Sequence, residues 1–146
     1  MQAFRAIYRF WIALLFLTIV VQIGTAGYGA FYAADKSDPG PLTDKAFTHG
    51  FSVHNGFGYA IFLGSVLLLL FALAGRLGRK KILWSLAVPL FVALQIVLAW
   101  IGESHAAVGV LHPINAFVIV GLVGSLAGRE WMGARAGAPQ TRDPAT

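Results

Sequence analysis

Four apolar segments, each long enough to cross a lipid bilayer, constrain this chain more than any other feature. They lie at about residues 7–32, 44–75, 82–102 and 104–128. About 20 apolar residues in a helix cover the hydrocarbon core of a membrane, and a helix satisfies its own backbone hydrogen bonds there. Hydrophobic residues make up 58% of the chain, and the mean hydropathy is +0.72. The sequence therefore predicts an all-α integral membrane protein, a four-helix bundle.

The four spans form one predicted domain, residues 1–132, arranged as two helical hairpins. A polar loop at 35–45, with two prolines and a glycine, joins the first two spans, and a basic loop at 76–81 joins the second and third. Only Glu103 and Ser104 separate the third span from the fourth, which requires a tight antiparallel turn. Residues 133–146 are polar and rich in Gly and Pro, and we predict a disordered cytoplasmic tail there.

The basic residues are concentrated at one end of the predicted bundle. The loops at the other end carry Lys36 and Lys45 against four acidic residues. By the positive-inside rule both termini are then cytoplasmic. The positive-inside pattern accounts for the net charge of +5, so no nucleic-acid partner is expected. The basic residues at the predicted cytoplasmic end are Arg5, Arg9, Arg76, Arg79, Lys80, Lys81, Arg129, Arg135 and Arg142.

A histidine followed by a proline interrupts the fourth span. We expect Ser104 to cap this helix and His112 to lie two turns inside it. Pro113 has no backbone N–H and crowds the carbonyl of Gly109, so a kink is predicted there. An ionisable residue inside a membrane span is by default a functional hypothesis, and its partner lies elsewhere in the chain.

An internal repeat identifies that partner. The segment QIGTAGYG, from Gln22, resembles QIVLAWIG, from Gln95, and each is followed by a span that carries a histidine, His54 or His112. The two hairpins are then related by an approximate two-fold axis along the membrane normal. This symmetry places His54 and His112 at similar depth, in the half of the bundle away from the termini.

Two imidazoles that face each other inside a helical bundle can supply both axial ligands of a haem iron. The chain has no cysteine, which excludes covalent haem attachment and iron–sulfur clusters. Small residues near His54 and His112 would let a flat macrocycle approach the backbone, and nearby amides would orient the rings. The predicted cofactor-binding residues are His54, His112, Gly50, Gly58, Gly109, Ala116, Gln22, Gln95 and Asn115.

Other interpretations of the histidines stay open. His49 and His105 are less favoured candidates for metal ligands. We expect them to cap the outer surface, to approach haem propionates or to be solvated. The histidines and glutamines can serve as hydrogen-bonding contacts between helices in a cofactor-free subunit or scaffold. A third hypothesis is a divalent metal site at the outer face that uses all four histidines, because imidazole suits zinc or copper.

The four-helix unit with repeat-related histidines, each with a small residue four positions later, resembles one half of haem A synthase. It is also similar to bacterial b-type cytochromes with four helices and to a small bacterial membrane family with Gln, His and LHP-x-N signatures. The resemblance implies one haem b with His54 and His112 as axial ligands. The catalytic glutamate of haem A synthase has no counterpart within the spans, and the inner-half histidines of di-haem cytochromes are absent.

The same resemblance implies a location and partners. A b-type cytochrome of this kind lies in the bacterial cytoplasmic membrane and exchanges electrons with a quinone, a small oxidant or another redox protein. We therefore expect an electron-transfer component in contact with the lipid bilayer, with oxidoreductase activity and homo-oligomer formation left open.

Overall fold

A computed structural model describes residues 2–37 and 40–136, and every regular element in these ranges is helical. A polar side chain begins the second helix, where the Thr43 hydroxyl accepts a hydrogen bond from the Ala46 N–H. The helical content of the described residues confirms the predicted all-α four-helix bundle. The helices are α1 (Gln2–Lys36), α2 (Asp44–Ala74), α3 (Arg79–Ser104), the single turn α4 (Ala106–Gly109) and α5 (Leu111–Ala136).

The outer surface of the bundle is apolar. Four helical segments, α1, α2, α3 and Ala106–Gly133, are long and apolar enough to cross a membrane. Large hydrophobic side chains project outward along them, with Phe31 81%, Phe117 74% and Leu63 63% exposed. Exposure of so much apolar surface to water is unfavourable, whereas its contact with lipid is not. The chain is a multi-pass membrane protein.

The helices extend beyond the predicted apolar spans. Helix α1 begins at Gln2 and ends at Lys36, and α3 begins at Arg79, three residues before the predicted start of the third span. Helix α5 continues to Ala136, so residues 133–136 are helical and not part of a disordered tail. Residues 137–146 of the predicted tail lie outside the described residues. Apolarity marks only the lipid-embedded part of a helix, and the helix itself continues into the polar interface.

The fourth span differs most from its prediction. Ser104 is the last residue of α3 and not an N-cap, and its hydroxyl donates to the carbonyl of Ile101 at 3.2 Å. His105 separates α3 from α4, and α4 ends at Gly109. Val110 interrupts the helix between α4 and α5, next to the position where a kink was predicted because Pro113 cannot donate to the Gly109 carbonyl. His112 consequently lies in the first turn of α5 and not two turns inside a continuous helix.

The four long helices form a ring in the order α1, α2, α3, α5, and each packs against its two neighbours. Helices α1 and α3 are therefore diagonal, as are α2 and α5. The guanidinium Nε of Arg5 donates to the Gly75 carbonyl at 3.4 Å, and the rings of Phe10 and Trp131 are 5.6 Å apart. The start of α1 and the ends of α2 and α5 thus lie together, at what we call the termini end.

A dry core fills the half of the bundle nearer the termini end. Across it, the hydroxyl groups of Tyr8 on α1 and Ser85 on α3 form a buried hydrogen bond of 2.9 Å between diagonal helices. The Trp11 indole N–H donates to the Gly64 carbonyl at 2.8 Å. The buried apolar residues of this core are Tyr8, Ile12, Leu15, Ile19, Ile61, Leu68, Ala72, Val88, Val92, Ile119, Val123, Leu126 and Ala127.

Candidate functional site

The other half of the bundle, which we call the histidine end, contains a cavity of about 360 Å³. Residues of α1, α2, α3 and α5 line it, so it lies where the diagonal helices α2 and α5 face each other. Its walls are mainly aliphatic and aromatic, with Trp100, Tyr59 and Phe117 among them. The polar residues that line it are Gln22, His54, Asn55, Gln95, Glu103 and His112. An apolar cavity with a few convergent polar groups is the usual form of a small-molecule or cofactor site.

The structure brings His54 and His112 together across this cavity. Their ring centroids are 6.2 Å apart and their planes are inclined by 60°. Both side chains are partly buried. Since α2 and α5 are diagonal and do not pack against each other, the two imidazoles approach each other without direct helix contact.

Each of these imidazoles is held by the glutamine of its own hairpin, in the same way. Nδ1 of His54 lies 3.2 Å from the backbone carbonyl oxygen of Gln22, and Nδ1 of His112 lies 3.0 Å from that of Gln95. The sequence repeat relates these two hydrogen bonds to each other. The two hairpins therefore resemble each other in the geometry around the histidine as well as in sequence.

These contacts determine the tautomer of both rings. A carbonyl oxygen can only accept a hydrogen bond, so Nδ1 must carry the proton and donate it. In a neutral imidazole Nε2 then keeps its lone pair. Neither Nε2 has a hydrogen-bond partner within residues 2–37 and 40–136. The site can therefore offer two imidazole nitrogens to a metal.

The predicted amides have different partners in the two hairpins. The Gln22 side chain donates through Nε2 to the His54 backbone carbonyl at 2.7 Å. The Gln95 side chain instead accepts through Oε1 from Asn115 Nδ2 at 2.7 Å. Asn115 is buried and also donates to the Phe91 carbonyl at 3.0 Å. Gln22 and Gln95 line the cavity, whereas Asn115 lies behind Gln95 and positions it.

The four predicted small residues divide into two pairs. Gly58 and Ala116 line the cavity, and a Cβ atom at Gly58 would find only an ordinary contact of 3.5 Å with the Gln22 amide. Gly50 does not line the cavity and instead faces α1. A Cβ there would meet Tyr32 at 2.9 Å and the Gly29 carbonyl at 3.1 Å. Gly50 allows α1 and α2 to approach each other closely.

Gly109 likewise serves helix packing and not the cavity. Its backbone faces Gly102 of α3, where an added Cβ would lie 2.8 Å from the Gly109 Cα. Gly50 and Gly109, which were predicted to border a cofactor, are therefore not among the residues that line this cavity. Small residues at four-residue spacing satisfy both close helix packing and cofactor access, so spacing alone does not separate the two roles.

His49 and His105 lie outside the cavity. The His49 ring is exposed and packs against Tyr32, with ring centroids 5.3 Å apart, and His105 Nδ1 lies 3.0 Å from the Ser104 hydroxyl. No group of three or more His, Cys, Asp or Glu side chains that could hold a metal ion occurs in the part of the chain that the structure describes. The four-histidine metal site is thus not assembled among these residues.

Two residues of the site had no role in the sequence interpretation. The Thr25 hydroxyl donates to the Gln22 carbonyl at 2.8 Å, and its oxygen lies 3.4 Å from His54 Nδ1. Thr25 could have been recognised from the sequence as a polar residue three positions after Gln22, inside the repeated segment. Glu103 lines the cavity at the end of α3, although the sequence placed it only in the short connection between the third and fourth spans. Leu98 takes the place of Thr25 in the second copy of the repeat, so the two histidines have unequal surroundings.

Comparison with known proteins identifies one family. No curated protein and no solved structure matches the chain. A family model described as "Family of unknown function (DUF6220)" matches residues 22–104. The match begins at Gln22 and includes His54 and Gln95, while His112 lies beyond its end. Because the match covers more than half of the chain, the protein belongs to this family of unknown function, DUF6220.

Proposed function

We propose that this protein binds one haem b between His54 and His112 and serves membrane electron transfer. The observation that carries the proposal is the pair of imidazoles 6.2 Å apart, each held through Nδ1 by the carbonyl of a repeat-related glutamine. A ligand histidine commonly donates its second ring N–H to a carbonyl or carboxylate, which fixes the ring and makes the metal-binding nitrogen more basic. Both histidines meet that requirement.

The spacing of the rings fits one metal ion between them. A ring nitrogen lies roughly 1.2 Å from the imidazole centroid and binds a metal at about 2.0 Å, so two opposite ligands put their centroids about 6.4 Å apart. The observed separation of 6.2 Å is close to that value.

The walls of the cavity also fit an apolar macrocycle. Gly58 and Ala116 present little side chain beside the two histidines, and Trp100 and Phe117 add aromatic surface. When bound, haem would supply one-electron redox chemistry. The chain's own residues bind and orient it, exclude water through the apolar walls, and offer two imidazoles of unequal environment as its ligands.

The charge distribution supports a cytoplasmic location of the termini. The termini end carries the basic residues of the 76–81 loop and of α5, whereas the histidine end carries Asp35, Asp44 and Glu103. In the bacterial cytoplasmic membrane the haem would then lie near the outer face. A quinone, a small oxidant or another redox protein could exchange electrons with it there.

A cofactor-free scaffold is the alternative that the site geometry favours less. His54 and His112 each make their hydrogen bond within their own hairpin, so neither joins the two hairpins directly. A contact role alone would leave Nε2 of both rings without a use, whereas metal binding uses it.

The absorption spectrum of the purified full-length protein tests the proposal. After haem-replete expression we expect a Soret band and sharp low-spin bands on reduction. His54→Ala and His112→Ala should each abolish these low-spin bands. His49→Ala is the matched control and should leave them unchanged, since His49 is exposed and packs on Tyr32.

Circular dichroism and gel filtration establish whether each variant is folded. A folded wild-type protein that is colourless would refute haem binding. Folded alanine variants that keep the low-spin bands would refute the assignment of the two ligands.

A further inference from the structure

A second cavity, of about 430 Å³, opens at the termini end between the start of α3 and the end of α5. It lies in the opposite half of the bundle from the histidines, with the dry core between the two cavities. Four basic residues from two separate helices line it: Arg79, Lys80 and Lys81 from α3, and Arg129 from α5. The sequence pattern explained these residues only as topology signals.

Most of the positive charge in this basic cavity is not neutralised by the residues that the structure describes. Glu130 is the one acidic residue of the lining, and it forms an ion pair with Lys81 that joins α5 to α3. Arg79, Lys80 and Arg129 make no ion pair within residues 2–37 and 40–136. Like charges gathered in a concave site repel one another, and an anion bound between them removes that repulsion.

Part of the wall of the basic cavity is apolar. Leu77, Gly78, Trp84 and Leu126 complete its lining, and Trp84 is 45% exposed near the start of a membrane span. Tryptophan at this depth is typical of the membrane–water interface. The cavity therefore combines cationic groups for a phosphate with apolar surface for the adjoining glycerol and acyl chains. Inorganic phosphate would use only the first of these features.

We propose that this cavity binds the phosphate headgroup of an anionic phospholipid. Basic pockets between helices at the cytoplasmic side of membrane proteins have the chemistry to hold such headgroups. Arg129 and Arg79 come from opposite walls, so a phosphodiester between them would also link α3 to α5 next to the Lys81–Glu130 ion pair. The site is separate from the haem site and does not depend on haem binding.

Native mass spectrometry of the detergent-solubilised full-length protein tests this proposal. Phosphatidylglycerol and phosphatidylcholine are added at equal concentration, and we expect several-fold greater retention of phosphatidylglycerol. Arg129→Gln should lower that retention about fivefold, the effect of one basic residue at an anionic surface. Arg76→Gln is the matched control, because Arg76 lies in the same basic loop region but does not line the cavity, and it should change retention much less.

Equal retention of the two lipids would overturn the proposal. An equal loss in Arg129→Gln and Arg76→Gln would also overturn it, since general attraction to the basic end would then explain the binding. In a third arm, inorganic phosphate is added at millimolar concentration. Displacement of the lipid by phosphate would assign the cavity to the free anion instead, and continued lipid retention supports the headgroup site.

Discussion

Gly102→Ala should destabilise the protein and disturb the histidine pair, because Gly102 and Gly109 are in backbone contact across the α3–α4 turn. A Cβ at position 102 would lie 2.8 Å from the Gly109 Cα, a distance that real Cβ atoms do not tolerate. The atom it meets belongs to the backbone and cannot rotate away. Either α3 or the α4 turn must move, and His112 follows three residues after Gly109.

The loss of stability in Gly102→Ala is estimated by comparison with the matched variant Gly121→Ala. Gly121 lies in α5 with nothing within 4 Å of an added Cβ. Both substitutions gain helix propensity, about 1 kcal/mol, and this gain cancels between them. Overpacking costs about 1–3 kcal/mol, which corresponds to a Tm difference of roughly 2–12 °C for a chain of this size.

Thermal unfolding of both variants in the same detergent measures this difference. If haem is bound, the ratio of Soret to protein absorbance should also fall in Gly102→Ala and not in Gly121→Ala. Equal Tm values for the two variants would show that the α3–α4 contact is not tight, and the reasoning about His112 would then fail.

Two further substitutions test other parts of the structure. Ala116→Leu fills the cavity beside His112, so haem content should fall several-fold. The Tm of the haem-free protein should change no more than it does for a surface substitution. Unchanged haem content would mean that the macrocycle lies elsewhere. Tyr8→Phe leaves the buried Ser85 hydroxyl without its cross-bundle partner and should cost about 1–3 kcal/mol in unfolding free energy. In a double-mutant cycle with Ser85→Ala, additive losses would contradict a hydrogen bond between the two hydroxyl groups.

The membrane architecture was predictable from local patterns. A bilayer requires each span to be apolar and to satisfy its own backbone hydrogen bonds, and both requirements act within one segment. Pro113 acts equally locally, through its missing N–H, and the interruption next to Gly109 was therefore predictable as well. Helix ends were less predictable, since α1 and α3 continue past their apolar residues into the interface.

The repeat made part of the site predictable. It indicated that His54 and His112 lie at similar depth, and the structure brings their rings together. It also marked Gln22 and Gln95, although the imidazoles are held by their backbone carbonyls and not by their side-chain amides. A backbone oxygen is present at every residue, so no sequence pattern could single out that contact.

The sequence by itself determined four membrane helices, their pairing into two hairpins and the histidines that they share. Only the tertiary structure decided that α2 and α5 are diagonal, that Gly58 and Ala116 border a cavity, and that Gly50 and Gly109 pack helices together. The physical reason is that the bilayer acts on each segment separately. The use of a small or polar residue inside the bundle instead depends on which atoms of other helices approach it.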